Sequence, residues 1–353
     1  MASSIIFAYC FAVQTEESKI NEQVDKKETS ETPSKVTKQK TRVAMLSVCS
    51  NTLLTSSKVT VGLISGSVSI LSEGIHSGID LVAACIAYFA VRQSGKPADA
   101  RHAYGHGKYE NISGTIEALL IFVAVIFIVT EAVRKIIASI AGDGGEVGEL
   151  AFSLGLIVMG GSAIINVFVS HLLMKVAKKT DSVALEADAL HLRTDVYTSA
   201  GVFVALLIIK FTGWHILDPI IALFVAALIT KAAFDLLKKA FFPLVDVSLP
   251  EEEREIITEA LCSHSDKFID FHDLRTRKAG PERHVDLHLV VPRNMSVAEV
   301  HELCDVVEND INSKLKGTHV LIHAEPCGVD DIKCPFQKGE EETCMRCEDA
   351  SRK

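Results

Sequence analysis

The chain has 353 residues, of which 48% are hydrophobic and 23% charged, with a formal net charge of −9. Neither that balance nor a sequence pI of about 5.8 suggests a nucleic-acid binder, which needs a basic patch or stripe. A mean hydropathy of +0.27 in so charged a chain requires segregation, and residues 14–42 and 243–353 are strongly polar while long apolar runs fill the stretch between.

Ala2–Val13 is apolar but too short to span a bilayer, and it lacks the basic start and cleavage site of a signal peptide. Gln14–Lys40 is rich in Glu, Lys, Ser and Thr and reads as disordered, so residues 1–41 form a leader without an assigned role. Six apolar segments long enough to span follow: Val43–Ile64, Val68–Val91, Ile112–Ile137, Leu150–Met174, Val183–Ile209 and Ile216–Leu237. The connection Ser65–Ser67 makes the first two a tight helical hairpin. Lys and Arg collect on one side: Lys35, Lys38, Lys40 and Arg42 before the first span, Arg92, Lys96, Arg101 and Lys108 after the second, Lys175, Lys178 and Lys179 after the fourth, Lys238 and Lys239 after the sixth. The opposite connections are uncharged or acidic, so both termini are expected in the cytoplasm.

Residues 42–242 thus read as a six-helix transmembrane domain, and residues 243–329 as a cytoplasmic domain. In the latter, Pro250–Ser263 and Ser296–Leu315 are amphipathic and helical. Phe268–Arg277, Arg283–Val291 and His319–Ala324 read as strands, the first two separated by a turn at Ala279-Gly280-Pro281. The order αββαβ is that of a small ferredoxin-like α+β layer. Residues 330–353 form a polar tail. Of nine cysteines, Cys49, Cys85, Cys262 and Cys304 read as small buried hydrophobes. Cys344-x2-Cys347 has the spacing of one zinc-knuckle half, which Cys327 and Cys334 would complete, but the turn glycines of a zinc ribbon are missing and free thiols are expected.

Two near-copies of one motif lie inside spans, Glu73-x2-His76-x3-Asp80 in the second and Asp188-x2-His191-x3-Asp195 in the fifth. Positions i and i+4 share a helix face, and ionisable groups at membrane depth are costly and functional by default. The two helices run antiparallel, which sets His76 level with Asp195 and Asp80 level with His191. Two imidazoles and two carboxylates suit a tetrahedral divalent metal such as zinc. Glu73 and Asp188, one turn before each histidine, are expected to line the outer and inner access paths. In the loop after the second span, Asp99-x2-His102-x3-His106 can put one carboxylate and two imidazoles on a single metal. His284, Asp286 and His288 alternate with apolar residues and so share one sheet face, as do His323 and Glu325.

The strings GSVSILSEGIHSGID, KPADARHAYGHGKYE, DALHLRTD, GWHILDP, FHDLRTRKAGP and IHAEPC, in this order between residue 42 and about 329, resemble the cation diffusion facilitator family, of the bacterial zinc/iron efflux type with a cytoplasmic C-terminal domain. The resemblance implies a homodimer that exchanges a divalent cation for protons by alternating access. It maps the transport site onto His76, Asp80, His191 and Asp195. It also implies a cytoplasmic, binuclear metal site at His272, His288, His301, His323 and Glu325, where relatives usually have Asp in place of Glu325. Lys108 and Asp246 match a charge pair joining the two domains. Many bacterial members have Asp where His76 stands, and the two-His, two-Asp set favours zinc as cargo. Iron, cadmium, cobalt or nickel are the alternative cargoes, a membrane-embedded metal sensor or a metalloenzyme the alternative functions.

Overall fold

Lipid offers the backbone no hydrogen-bond partner, so a spanning segment must satisfy its N–H and C=O groups within itself. The chain meets this with six long helices. In the computed structural model, which describes residues 35–64, 68–141, 149–212 and 217–327, α1 covers residues 35–64, α2 Val68–Ser94, α3 Lys108–Ala141, α4 Glu149–Thr180, α5 Val183–Thr212 and α6 Leu217–Phe241. Among the described residues, four stretches are long and apolar enough to cross a membrane: Gly74–Ser94, Lys108–Arg134, Gly160–Thr180 and Ile220–Val245. α5 is more polar because its first half carries Glu186, Asp188, His191, Arg193 and Asp195.

The helix ends depart from the spans read by composition. α1 begins at residue 35 rather than 43, so the last residues of the expected leader are helical. The reason is a partner hydropathy cannot see: Lys40 is buried and its Nζ lies 2.9 Å from Glu110 Oε1 at the start of α3. Of the four cysteines expected to be small buried hydrophobes, Cys304 is buried, Cys85 is half-buried and Cys49 is exposed on the outside of α1, while Cys262 is disulfide-bonded. The rest of the leader and the tail cysteines Cys334, Cys344 and Cys347 lie outside the described residues.

α3 runs along α6 and α5, α4 packs on α5, and α2 touches both α3 and α5. A short 3-10 turn, Phe242–Val245, leads out of the bundle to α7 (Glu251–Cys262), β1 (Asp270–Ala279), β2 (Glu282–Val291), α8 (Val297–Lys314) and β3 (Thr318–Pro326). The sheet order is β1-β2-β3, with β1/β2 antiparallel and β2/β3 parallel. A parallel pair needs a crossover, and α8 supplies it. Ser296 starts that helix with a capping box, its side chain accepting from Glu299 N and Glu299 Oε2 accepting from Ser296 N, worth about 1 kcal/mol.

One sheet face is apolar. Val285, Leu287 and Leu289 pack with Ile257, Leu261, Phe268, Val307 and Ile311, and each such fully buried side chain contributes roughly 1.5–3 kcal/mol. The other face carries His284, Asp286 and His288 of β2 beside His319, Leu321, His323 and Glu325 of β3. Leu321, although apolar, is exposed there.

Sheet and bundle meet at the β1–β2 turn. Gly280 has φ +61°, and its N–H donates to Asn111 Oδ1 at 2.7 Å. The Asn111 amide also donates to Ala240 O, 3.2 Å away at the end of α6. A Cβ on Gly107 would stand 2.1 Å from Ala279 O, so the backbones meet closer than any side chain permits. Lys278 and Arg283 reach Asp181, in the α4–α5 corner, at 2.6 and 3.0 Å.

Candidate metal-ligand clusters

In the bundle, α2 and α5 face each other with their motifs. Ligand atoms of His76, Asp80 and Asp195 lie within 4.8 Å of one another. His191 Nε2 stands 3.0 Å from Asp80 Oδ1, so all four residues meet in one place. Asp80 and His191 are buried and His76 and Asp195 half-buried. On α1, Lys58 donates to Ser77 Oγ at 2.7 Å, which sets an ammonium beside the cluster. Asp188 is fully buried, with Ser47 of α1 as a hydrogen-bond partner. The Glu73 side chain lies outside the described residues.

The loop residues 99–106 form a second group. Asp99 Oδ1 accepts the backbone N–H groups of Arg101 and His102 at 2.8 and 2.7 Å. Those two bonds hold the exposed carboxyl below its ordinary range. His102 Nδ1 and His106 Nε2 stand 3.3 and 3.4 Å from its two oxygens. His106 is only 4% exposed, and its buried Nδ1 has no protein partner. One carboxylate, two imidazoles and an orphaned ring nitrogen fit a metal ion.

On the open sheet face, Glu325 is the hub. Its carboxylate lies 2.8 Å from His288 Nδ1 and 3.6 Å from the Nε2 atoms of both His272 and His323. Asp273 joins His272 and His288 with ligand atoms within 4.8 Å. A period of two puts neighbouring residues on opposite faces, so the sequence points Asp273 away from His272. The pairing register slips between His272 and Arg275, and Asp273 takes φ +52°; this bulge turns its carboxylate back. His301 is not brought to this group. It is 77% exposed on α8, 3.6 Å from Asp305 of the same helix.

Lys108 and Asp246 pair at 2.8 Å, which lowers the Asp246 carboxyl below its usual range. Arg277 approaches the same carboxylate at 3.8 Å. Near this joint, burial and the Arg277 charge push His284 down to about 4. His284 stacks on His319 and meets the edge of Tyr104.

A bundle of long helices with His and Asp side chains converging inside it, followed by a sheet domain with its own His/Glu cluster, is the architecture of a multi-pass membrane protein with candidate metal sites. The cation efflux transmembrane domain matches residues 44–245, and the cation efflux protein cytoplasmic domain matches residues 249–327. The chain belongs to this family, the cation diffusion facilitators with a cytoplasmic C-terminal domain. It is 35% identical to an uncharacterized transporter of Synechocystis over 74% of this chain and 83% of the relative. It is 34% identical to an uncharacterized transporter of Methanocaldococcus jannaschii over 80% of this chain and 96% of that one. The cation-efflux pump FieF of Cronobacter sakazakii is 30% identical over 82% of this chain and 93% of its own.

Proposed function

We propose that this transporter exports a divalent transition-metal cation, zinc by preference, in exchange for protons, and that His76, Asp80, His191 and Asp195 are its transport site. The observation that carries the reading is the convergence of these four side chains from two helices: three have ligand atoms within 4.8 Å of one another and the fourth lies 3.0 Å from Asp80. Two aspartates neutralise a dication's charge, and two imidazoles give the mixed nitrogen and oxygen set that zinc favours over manganese or magnesium. A ligating histidine must be neutral, so metal and proton compete for the same rings near their ordinary pKa of about 6.5. Protons entering from the more acidic side expel the metal there, and alternating access returns the protonated site inward.

In this reading the basic ends of the helices face the cytoplasm of the inner membrane, as do both termini. The protein acts as a homodimer in which a second copy covers the open sheet face around the exposed Leu321. Asp99, His102 and His106, and separately His272, Asp273, His288, His323 and Glu325, would each hold a resident metal ion that fixes loop or sheet geometry. The Lys108–Asp246 pair serves as a hinge between the halves.

Purified protein in proteoliposomes, supplied with zinc, iron, cadmium, cobalt or nickel one at a time under an imposed pH gradient, tests the proposal. Zinc uptake should shift the lumenal pH, and Asp80→Ala should abolish both signals. A sensor or an enzyme would move no metal, and an Asp80→Ala protein as active as the parent would end the assignment of the site.

A further inference from the structure

α3 carries a carboxylate that the four-ligand cluster leaves unused. Glu117 is 0% exposed, and Asp188, on the neighbouring helix α5, is 1% exposed. Glu117 lies within electrostatic reach of Asp188 and His191, and Asp188 within reach of His191 and Asp80. Glu117 Oε1 accepts from Ser113 Oγ at 3.4 Å, and Asp188 has Ser47 as its partner, with Asn51 Nδ2 3.5 Å from the Ser47 hydroxyl. Three buried atoms remain unpartnered: Glu117 Oε2, Asp188 Oδ2 and His191 Nδ1. No lysine or arginine acts on either carboxylate among the described residues; the one base that does is His191.

Two carboxylates removed from water without a cation are prohibitively costly. A proton or a metal cation must therefore offset them, and either can enter and leave. Placement supports the same conclusion. Asp188 lies one turn nearer than His191 to the end of the bundle that joins the sheet domain. Glu117 lies roughly 13 Å along α3 from that end, counting 1.5 Å per residue from Lys108. His191 turns Nε2 toward Asp80, and its buried Nδ1 has no protein partner.

We infer that Glu117 and Asp188, with the hydroxyls of Ser47 and Ser113, form a second divalent-cation stop beside the four-ligand cluster, on its sheet-domain side. The inference rests on the transport reading and adds a stage to it. Its donors are all oxygen, so it takes hard and borderline cations alike; the histidine-containing cluster favours the borderline ones. Passage from the Glu117–Asp188 stop to the four-residue cluster therefore sorts metals: zinc gains nitrogen ligands by moving on, and magnesium does not.

The test uses the full chain, with Mn2+ alone as probe. In a Asp80→Ala/Asp195→Ala background the mixed cluster is broken, and equilibrium dialysis counts the Mn2+ ions held per chain. Adding Glu117→Gln should remove one of them, while Glu117→Asp should retain it with weaker affinity. In proteoliposomes Glu117→Gln alone should raise the half-saturating zinc concentration on the sheet-domain side about tenfold or more, the loss expected for one charged ligand of about 1.4 kcal/mol. Gln is nearly isosteric and removes a buried charge, so the melting temperature should hold or rise, which separates this effect from misfolding. Unchanged Mn2+ stoichiometry together with unchanged half-saturation would overturn the second stop. Loss of transport in Asp80→Ala in the same experiments would leave the transport reading standing, so the two failures are distinguishable.

Discussion

Replacing Lys40 with Met isolates the buried ion pair that begins the bundle. Glu110 is 0% exposed and accepts three bonds: from Lys40 Nζ at 2.9 Å and Ser94 Oγ at 2.7 Å on one oxygen, and from Ser182 Oγ at 2.5 Å on the other. It thereby ties α1, the end of α2, the start of α3 and the α4–α5 corner. At an effective dielectric of 20, a 2.9 Å pair has a gross attraction of about 6 kcal/mol, most of it offset by the cost of dehydrating both groups. Removing the ammonium alone leaves a buried carboxylate with two hydroxyls, and such single deletions cost about 3–5 kcal/mol. For a domain of this size that is a fall in melting temperature of roughly 6–20 °C. Glu110→Gln should cost a similar amount by stranding Lys40. The double variant Lys40→Met/Glu110→Gln should lose less than the sum of the two, because neither buried charge then lacks a partner. Thermal unfolding in detergent, followed by size-exclusion chromatography of heated samples, measures all three. Additive losses, or a Lys40→Met protein as stable as the parent, would refute the reasoning.

Three other predictions concern the joint and the sheet. Gly107→Ala should force the β1–β2 turn off the bundle, since its Cβ would meet Ala279 O at 2.1 Å; hydrogen exchange at Gly280 should accelerate while the bundle helices keep their protection. Lys108→Asp and Asp246→Lys should each reduce transport, and their combination should restore it. Melting should hardly move in any of the three, because a pair this exposed is worth under about 1 kcal/mol. His284 is held near 4 against about 6.5 in the unfolded chain. Between those values the unfolded chain binds a proton that folded His284 refuses, so its contribution is complete above pH 6.5 and is lost as pH falls toward 4, by up to about 3 kcal/mol. His284→Gln should flatten that part of the stability-against-pH curve, read from melts at half-unit steps; an unchanged slope would assign the acid sensitivity elsewhere.

What could be read before the fold was known follows from which interactions are local. Helical segments announce themselves by composition, and the i, i+4 spacing of His76 with Asp80 and of His191 with Asp195 fixes a shared face with no further knowledge. The alternation around His284 and His288 fixes a strand face in the same way. Helix ends were less legible: residue 35 begins α1 because Lys40 finds Glu110, a residue 70 positions away. Asp273 was illegible, since only a bulge with a left-handed residue can turn it to the histidine side. The meeting of Asn111 with Gly280 spans 169 positions and leaves no local trace. Glu117 is a different case, because an acid within the span Ile112–Ile137 is by itself a functional signal, and its lack of a repeated motif hid it.

The joint also says how sheet and bundle can move together. Residues 99–111 carry, in order, the candidate loop ligands Asp99, His102 and His106, the glycine that meets the β1–β2 turn, Lys108 of the exposed pair, Glu110 of the buried knot and Asn111. Asp181, bound to Lys278 and Arg283 of the sheet domain, stands next to Ser182, bound to Glu110. The sheet therefore grips the starts of α3 and α5 at the same level, and those two helices carry Glu117, Asp188, His191 and Asp195. α2 carries the other half of the candidate transport cluster, His76 and Asp80, and has no comparable tie to the sheet among the described contacts; its end bonds Glu110 through Ser94. A sheet domain that shifts with α3 and α5 would slide His191 and Asp195 past His76 and Asp80. The 3.0 Å contact between His191 and Asp80 is thus the seam along which such a movement would open the cluster, and a cation bridging that seam would hold it shut.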